Sequence, residues 1–108
     1  MTLSAQREQE LWTAVLYIKN IAEAKKFFGD LLTKDEINDF AKRWLTARML
    51  FNGESYKTIQ NKTSLSTRTV ARISNWLNEG TGGYRLLLNR TNNTHHTVPA
   101  YSRCRTAH

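Results

Sequence analysis

The chain is short of five things, and each shortage removes a class of function. Cysteine occurs once, as Cys104, in 108 residues. One cysteine makes neither a disulfide framework nor a cysteine-rich zinc site, and it fits a reducing cytosol. No run of eighteen apolar residues exists, so no helical membrane span is expected. The opening MTLSAQREQE lacks the basic-then-apolar order of a signal peptide. Acidic residues all but vanish from the second half: residues 55–108 hold eight Lys/Arg against the single acid Glu79. Residues 1–54 are balanced, eight against eight, so the second half carries the whole formal charge of +7. Finally, no nucleophile–base pair and no phosphate-binding glycine loop can be found. GTGG at 80–83 has no strand before it and no Lys-Thr/Ser after it, which makes it a helix stop.

At this length one domain is expected. Hydrophobic residues make up 40%, with three Trp, four Phe and four Tyr, enough for a modest core with little to spare. The positive half centres on YKTIQNKTSLSTRTVARISN, residues 56–75, where two short helical patterns flank a polar turn. A helix-turn-helix needs a few buried apolar side chains to fix two helices at a steep angle. Ile59 faces inward from the first helix, Leu65 plugs the turn, and Val70 and Ile73 form the inner stripe of the second. Two positions depart from the common pattern. Gln60 stands where a small Ala is usual, and Ser64 stands where Gly tolerates a left-handed backbone. A helix-turn-helix with the basicity gathered around it is the signature of a nucleic-acid-binding protein.

The rest of the chain reads as helices. Residues 5–19 form an amphipathic helix with Ser4 as N-cap and Leu11, Trp12, Val15, Leu16 and Ile18 on one side. Asn20 caps a second, 21–32, with Glu23 three places on. Thr33 to Glu36 is a capping box opening a helix to about Asn52, with Ile37, Phe40, Ala41, Trp44, Leu45, Arg48 and Phe51 sharing a stripe and Gly53 as its stop. The helix-turn-helix spans about 55–78, and YRLLLNR, 84–90, makes one short helix more. Residues 91–108 are polar, hold the only Pro and all three His, and read as a disordered tail outside a domain of residues 1–90. His95, His96 and His108 lie there without an acid partner, so no metal site is assigned to them. The fold class is all-α, with five to six helices and a C-terminal helix-turn-helix.

Between Thr33 and Leu77 the chain resembles the Trp-repressor superfamily. The residues that carry the likeness are LLTKDE at a helix start, Arg43, the Asn-Gly-Glu bend at 52–54, and the T-x-x-R of Thr69 and Arg72. It is more similar still to the small YerC/YecD-like branch. There the pattern is a Phe pair before the cap and a Leu-Asn-x-Gly-x-Gly-Gly-Tyr ending, here Phe27, Phe28, Leu32, Thr33, Glu36, Leu77, Asn78, Gly80, Gly82, Gly83 and Tyr84. The likeness covers roughly residues 8–90.

What the resemblance implies is an intertwined homodimer presenting two helix-turn-helix units to neighbouring major grooves of double-stranded DNA. Leu11, Trp12, Phe27, Phe28, Trp44 and Phe51 are more apolar surface than a monomer of this size is expected to hide. The expected DNA-binding residues are Lys57, Thr58, Lys62, Ser66, Thr67, Arg68, Ala71, Arg72 and Asn75. In the Trp repressors two arginines and nearby threonines hold the indole of L-tryptophan, and the matching positions are Thr33, Arg43, Thr69 and Arg72. Ile73 and Trp76, however, stand where those repressors have Gly and Ser, and such bulk narrows or fills the pocket. Tryptophan control is therefore disfavoured, and Arg43 and Arg72 are then structural or phosphate-facing. The expectation is a cytoplasmic, nucleoid-associated transcription regulator, not an enzyme, with no cofactor. The alternative is an RNA-binding or assembly protein that uses the same basic surface without duplex readout.

Overall fold

Side-chain caps decide where the helices of this chain begin. In a computed structural model that describes residues 2–94, the helices are α1 (Leu3–Leu16), α2 (Ile21–Leu31), α3 (Lys34–Phe51), α4 (Tyr56–Thr63), α5 (Thr67–Glu79) and α6 (Gly83–Thr94). Each of the first four amides of a helix lacks an intrahelical acceptor, and a Ser, Thr or Asn oxygen supplies one. Thr33 and Glu36 form the expected reciprocal box: the Glu36 amide donates to Thr33 Oγ1 at 3.1 Å and the Thr33 amide to Glu36 Oε1 at 2.9 Å. Asn20 caps α2 as read, accepting from the Glu23 amide at 2.9 Å, while the Glu23 carboxylate accepts from the Lys19 amide at 3.0 Å. The start of α1 differs from the sequence reading. Thr2, not Ser4, is the cap, accepting from the Ala5 amide at 3.0 Å. This helix also stops at Leu16 rather than 19, because Tyr17 and Ile18 donate three residues back, to Ala14 and Val15, and tighten the last turn.

The chain divides into two compact units, meeting in sequence after Asp39. In the first, α1 and α2 contain no buried residue at all. Leu16 is 84% and Ile21 79% exposed, and Trp12 is half exposed. Of the residues singled out as hard to hide, Trp12 is the exposed one; Leu11, Phe27, Phe28, Trp44 and Phe51 are half-buried.

The second unit holds the core, in two joined clusters. Ala47, Ile73, Leu77 and Leu88 form one; Met49, Ile59 and Val70 form the other. Ile59, Val70 and Ile73 are fully buried, as the helix-turn-helix spacing required. Leu65 and Leu50 pack against both clusters. The face of α3 is a correction. Ala41 and Phe40 are exposed, and the residues α3 buries are Thr46, Ala47 and Met49. Trp44, Leu45 and Phe51 of the expected stripe are half-buried and pack against the core from its edge. Gly53, two residues past the end of α3, takes a φ of 83° that only glycine adopts freely. Gly53 donates to the Leu50 carbonyl and Glu54 to that of Met49, a Schellman ending.

The turn of the helix-turn-helix runs through Ser64, which takes the left-handed conformation itself, φ 63° and ψ 15°. Its strain is held from both sides. The Ser64 amide donates to the Gln60 carbonyl at 2.8 Å, and the Leu65 amide donates to Thr63 Oγ1 at 3.2 Å. Thr63 is buried and its hydroxyl donates in turn to the Ile59 carbonyl at 2.8 Å. α6 reaches Thr94, four residues past the domain end drawn at 90, with the Thr91 hydroxyl donating to the Leu87 carbonyl at 2.9 Å. The remainder of the tail, including the three histidines and Cys104, lies outside the described residues.

A left-handed non-glycine residue costs roughly 1–2 kcal/mol, and glycine gives back about 0.5–1 of that in unfolded-chain entropy. Ser64→Gly should therefore raise unfolding stability by about 0.5–1 kcal/mol. A denaturant midpoint that falls instead would show that the Ser64 side chain contributes to the turn.

Candidate nucleic-acid interface

α5 owes its orientation to Val70, Ile73 and Leu77, all buried. At roughly 100° per residue, Arg68, Arg72 and Asn75 then stand on the opposite side, and all three are exposed. Thr67 is exposed in the first turn and Ala71 is half-buried at the edge. Lys57 and Lys62 are exposed on α4. The residues chosen from the sequence thus belong to one unit, and those on α5 divide cleanly into a packed face and a solvent face.

Two members of the expected set have a structural duty. Ser66 is the N-cap of α5: its Oγ accepts from the Thr69 amide at 3.2 Å and its hydroxyl donates to Thr69 Oγ1 at 3.1 Å. Ser55 does the same for α4, accepting from the Thr58 amide at 3.2 Å and donating to Thr58 Oγ1 at 3.0 Å. Ser55 was missed from the sequence, though the signal was there in a repeated S-x-x-T, residues 55–58 and 66–69. These caps fix where each helix of the motif starts. They also leave the amino end of α5, with its partial positive charge, facing the same solvent as Arg68.

The four positions matched to an effector pocket are held variously. Thr33 lies in the first unit and its hydroxyl caps α3. Arg43 is exposed, its guanidinium carbon 5.8 Å from the centre of the Phe40 ring. Thr69 is half-buried and tied to Ser66, and Arg72 is exposed. Ile73 is fully buried in the core, whereas Trp76 is 44% exposed. Trp76, Tyr84, Leu87 and Trp44 border a groove beside the end of α5, which the sequence reading did not foresee. Burial pushes the Tyr84 hydroxyl above its ordinary pKa, with the Arg43 charge partly offsetting the rise. Among the described residues no group of three His, Cys, Asp or Glu could hold a metal. No helix among them is long and apolar enough to cross a membrane.

The helical order and this motif match known proteins. The pattern of the Trp repressor protein family fits residues 6–92. The chain belongs to the Trp repressor family. The uncharacterized protein YerC of Bacillus subtilis is 36% identical over 92 residues, covering 85% of this chain and 88% of its own. The crystal structure of a TrpR-like protein from Eubacterium eligens is 36% identical, with a TM-score of 0.78 over 81% of this chain and 90% of that one. A Staphylococcus aureus crystal structure is 33% identical, with a TM-score of 0.77 over 85% and 95%. Membership of the Trp repressor family suggests a DNA-binding regulator, of a kind that is typically not enzymatic.

Ser66→Ala removes a cap and should cost about 1 kcal/mol of stability. Arg68→Ala, at an exposed position two residues on, should leave stability within about 0.5 kcal/mol. Equal losses in urea unfolding would mean that Arg68 is part of the packing and not a free reading side chain.

Proposed function

We propose that the chain is a sequence-specific, dimeric DNA-binding transcription regulator that reads the major groove with α5. The observation that carries this is the division of α5, packed along Val70, Ile73 and Leu77 and open along Arg68, Arg72 and Asn75. An α-helix fits the major groove, and an Arg near its amino end reaches guanine O6 and N7 with two hydrogen bonds. Lys57 and Lys62 on α4 are placed by chemistry to meet phosphates, which position the protein without reading sequence. Ser66 contributes by capping α5 and Thr58 by its hydrogen bonds to Ser55, the cap of α4, and Thr67 and Ala71 border the reading face.

Dimerisation rests on α1 and α2. Two helices without a buried residue cannot be stabilised by their own packing, and the apolar side chains they leave open are the surface a second copy would cover. L-tryptophan stays disfavoured as an effector. Arg43 and Arg72 are there, but Trp76 stands on α5 where a small residue would leave room for an indole.

Selection of bound duplexes from a random DNA pool, with and without L-tryptophan, tests the reading directly, and a pool that returns no preferred sequence in either condition sinks it. On the selected site Arg68→Ala should cost about 1–3 kcal/mol and relax one base pair. Lys57→Ala should weaken all sequences alike and reduce the salt slope by about one. The half-exposed Trp76 is the one feature that favours the alternative, since an open ring can stack on a base. Stronger binding to single-stranded RNA than to the selected duplex, lost in Trp76→Ala, would decide for that alternative.

Sedimentation checks the dimer independently of DNA. The protein should run at about twice its 12.5 kDa chain mass at micromolar concentration, with an unfolding midpoint that rises with concentration. A monomer mass with a fixed midpoint would leave α1 and α2 without the partner proposed here.

A further inference from the structure

We propose that the groove between the end of α5 and the start of α6 is a docking surface for the chain's own tail, with Val98-Pro99-Ala100-Tyr101 on its rings and Arg103 or Arg105 on Glu79. The groove has a volume of about 970 Å³, room for several side chains at the upper end of the roughly 300–1,000 Å³ of binding clefts. Trp44 and Tyr84 form one flat wall, their rings stacked with centroids 6.4 Å apart and planes 23° from parallel. Trp76 and Leu87, each 44% exposed, complete the apolar lining. Its acidic point is Glu79, which is exposed and is the one acid in residues 55–108.

The tail's sequence matches that lining in order. After Leu88 the chain runs through NRTNNTHHT without an apolar side chain, and Val98 to Tyr101 is the first apolar run it reaches. Pro99 fixes its own φ and biases Val98 to extended backbone, so part of the ordering is done before contact. Extended segments containing proline dock on aromatic-lined grooves for this reason. Alternate side chains of an extended segment share a face, which groups Pro99 and Tyr101 with Arg103 and Arg105. Residues 80–108 contain no acid, so Glu79 is the nearest carboxylate in sequence to either arginine. Arg85, close to the groove in sequence, is already engaged: it donates to Asn78 Oδ1 at 3.1 Å and lies 5.8 Å from the Phe51 ring centre. Reach is sufficient. Leu87 and Tyr84 lie seven and ten residues before Thr94, about 10–15 Å back along α6. Residues 95–101 extend up to about 23–25 Å. A tethered segment acts at an effective concentration of roughly millimolar, so even a weak contact is populated. The tail is then a built-in occupant that any other molecule entering the groove must displace. None of this rests on DNA binding.

The test uses the full chain, with its tryptophan and tyrosine rings followed by NMR. Through-space contacts should join the Tyr101 ring to Trp44 and Trp76 within one chain. Tyr101→Ser should remove them and move both indole N–H signals, while the methyl signals of Ile59 and Val70 in the other core cluster stay in place. A peptide of residues 95–108 added to that variant should return the indole signals saturably at about millimolar concentration. Glu79→Gln in the chain should weaken that peptide about threefold. Indole signals that ignore Tyr101→Ser, or a peptide that binds no more tightly than its own Tyr101→Ser form, overturn the proposal. An affinity unchanged by Glu79→Gln overturns it as well. Contacts found only between labelled and unlabelled chains of a mixed sample assign the groove to a second copy and overturn it too. A protein that fails to bind DNA still gives these measurements, so the two readings fail separately.

Discussion

Leu65 governs where everything on the second unit points. It is the central residue of a three-residue turn, and its side chain packs against both hydrophobic clusters at once. Its amide is held by Thr63, and Thr63 is held by Ile59 inside the same core. With the turn pinned there, α5 can bury Val70, Ile73 and Leu77 together, at about 1.5–3 kcal/mol for each side chain. That sum outweighs the roughly 1–2 kcal/mol of left-handed strain at Ser64, which is why the chain accepts a serine at a glycine position. The solvent face of α5 is the geometric remainder of this packing. Arg68, Arg72 and Asn75, four and three places apart, share the face opposite Val70, Ile73 and Leu77 and are exposed for that reason.

Much of this was readable in advance, and the reason is local. The Thr33–Glu36 box, the Asn20 cap and the Gly53 stop are short-range chemistry, in which the oxygen, the amide and the sequence spacing come together. The inward-facing set of the helix-turn-helix, Ile59, Leu65, Val70 and Ile73, was readable because a turn of fixed length imposes fixed spacing. The all-α class and the family followed from these. What failed was burial decided at a distance. On α3 the expected stripe has good helical periodicity, and its Trp44, Leu45 and Phe51 do pack against the core, yet Phe40 and Ala41 are exposed and the fully buried residues are Thr46, Ala47 and Met49. Periodicity names the candidate faces, and only the partner elements choose among them. Thr46 shows how strict that choice is: it is fully buried and its Oγ1 has no hydrogen-bond partner. The start of α1 failed for a smaller reason, because Thr2 and Ser4 offer the same oxygen two residues apart.

The site was legible in its charges and less so in its caps and rings. Eight basic residues against one acid in the second half is a property of composition, and no fold is needed to see it. Ser66 and Thr58 could be placed in the motif but not divided between capping and contact, since a hydroxyl serves either. Only the hydrogen bonds to Thr69 and Ser55 assign them to helix starts. Trp76 was ambiguous between core and surface for a related reason. It follows Ile73 by three, which suits the buried stripe, but the core at that level is already filled by Leu77 and Leu88.

The last consequence concerns what joins the two ends of α5. Arg68 and Trp76 are eight residues apart, about 12 Å along a helix rising 1.5 Å per residue. A helix of this length transmits force as a rod, and its pivot is set by Leu65 at one end and by the contact of Ile73 and Leu77 with Leu88 at the other. Val70, Ile73 and Leu77 lie between the two ends and hold α5 to the core along its length. The physical link between them is the burial of Ile73 and Leu77, so substitutions that loosen those two side chains would separate the ends of α5 without touching either surface.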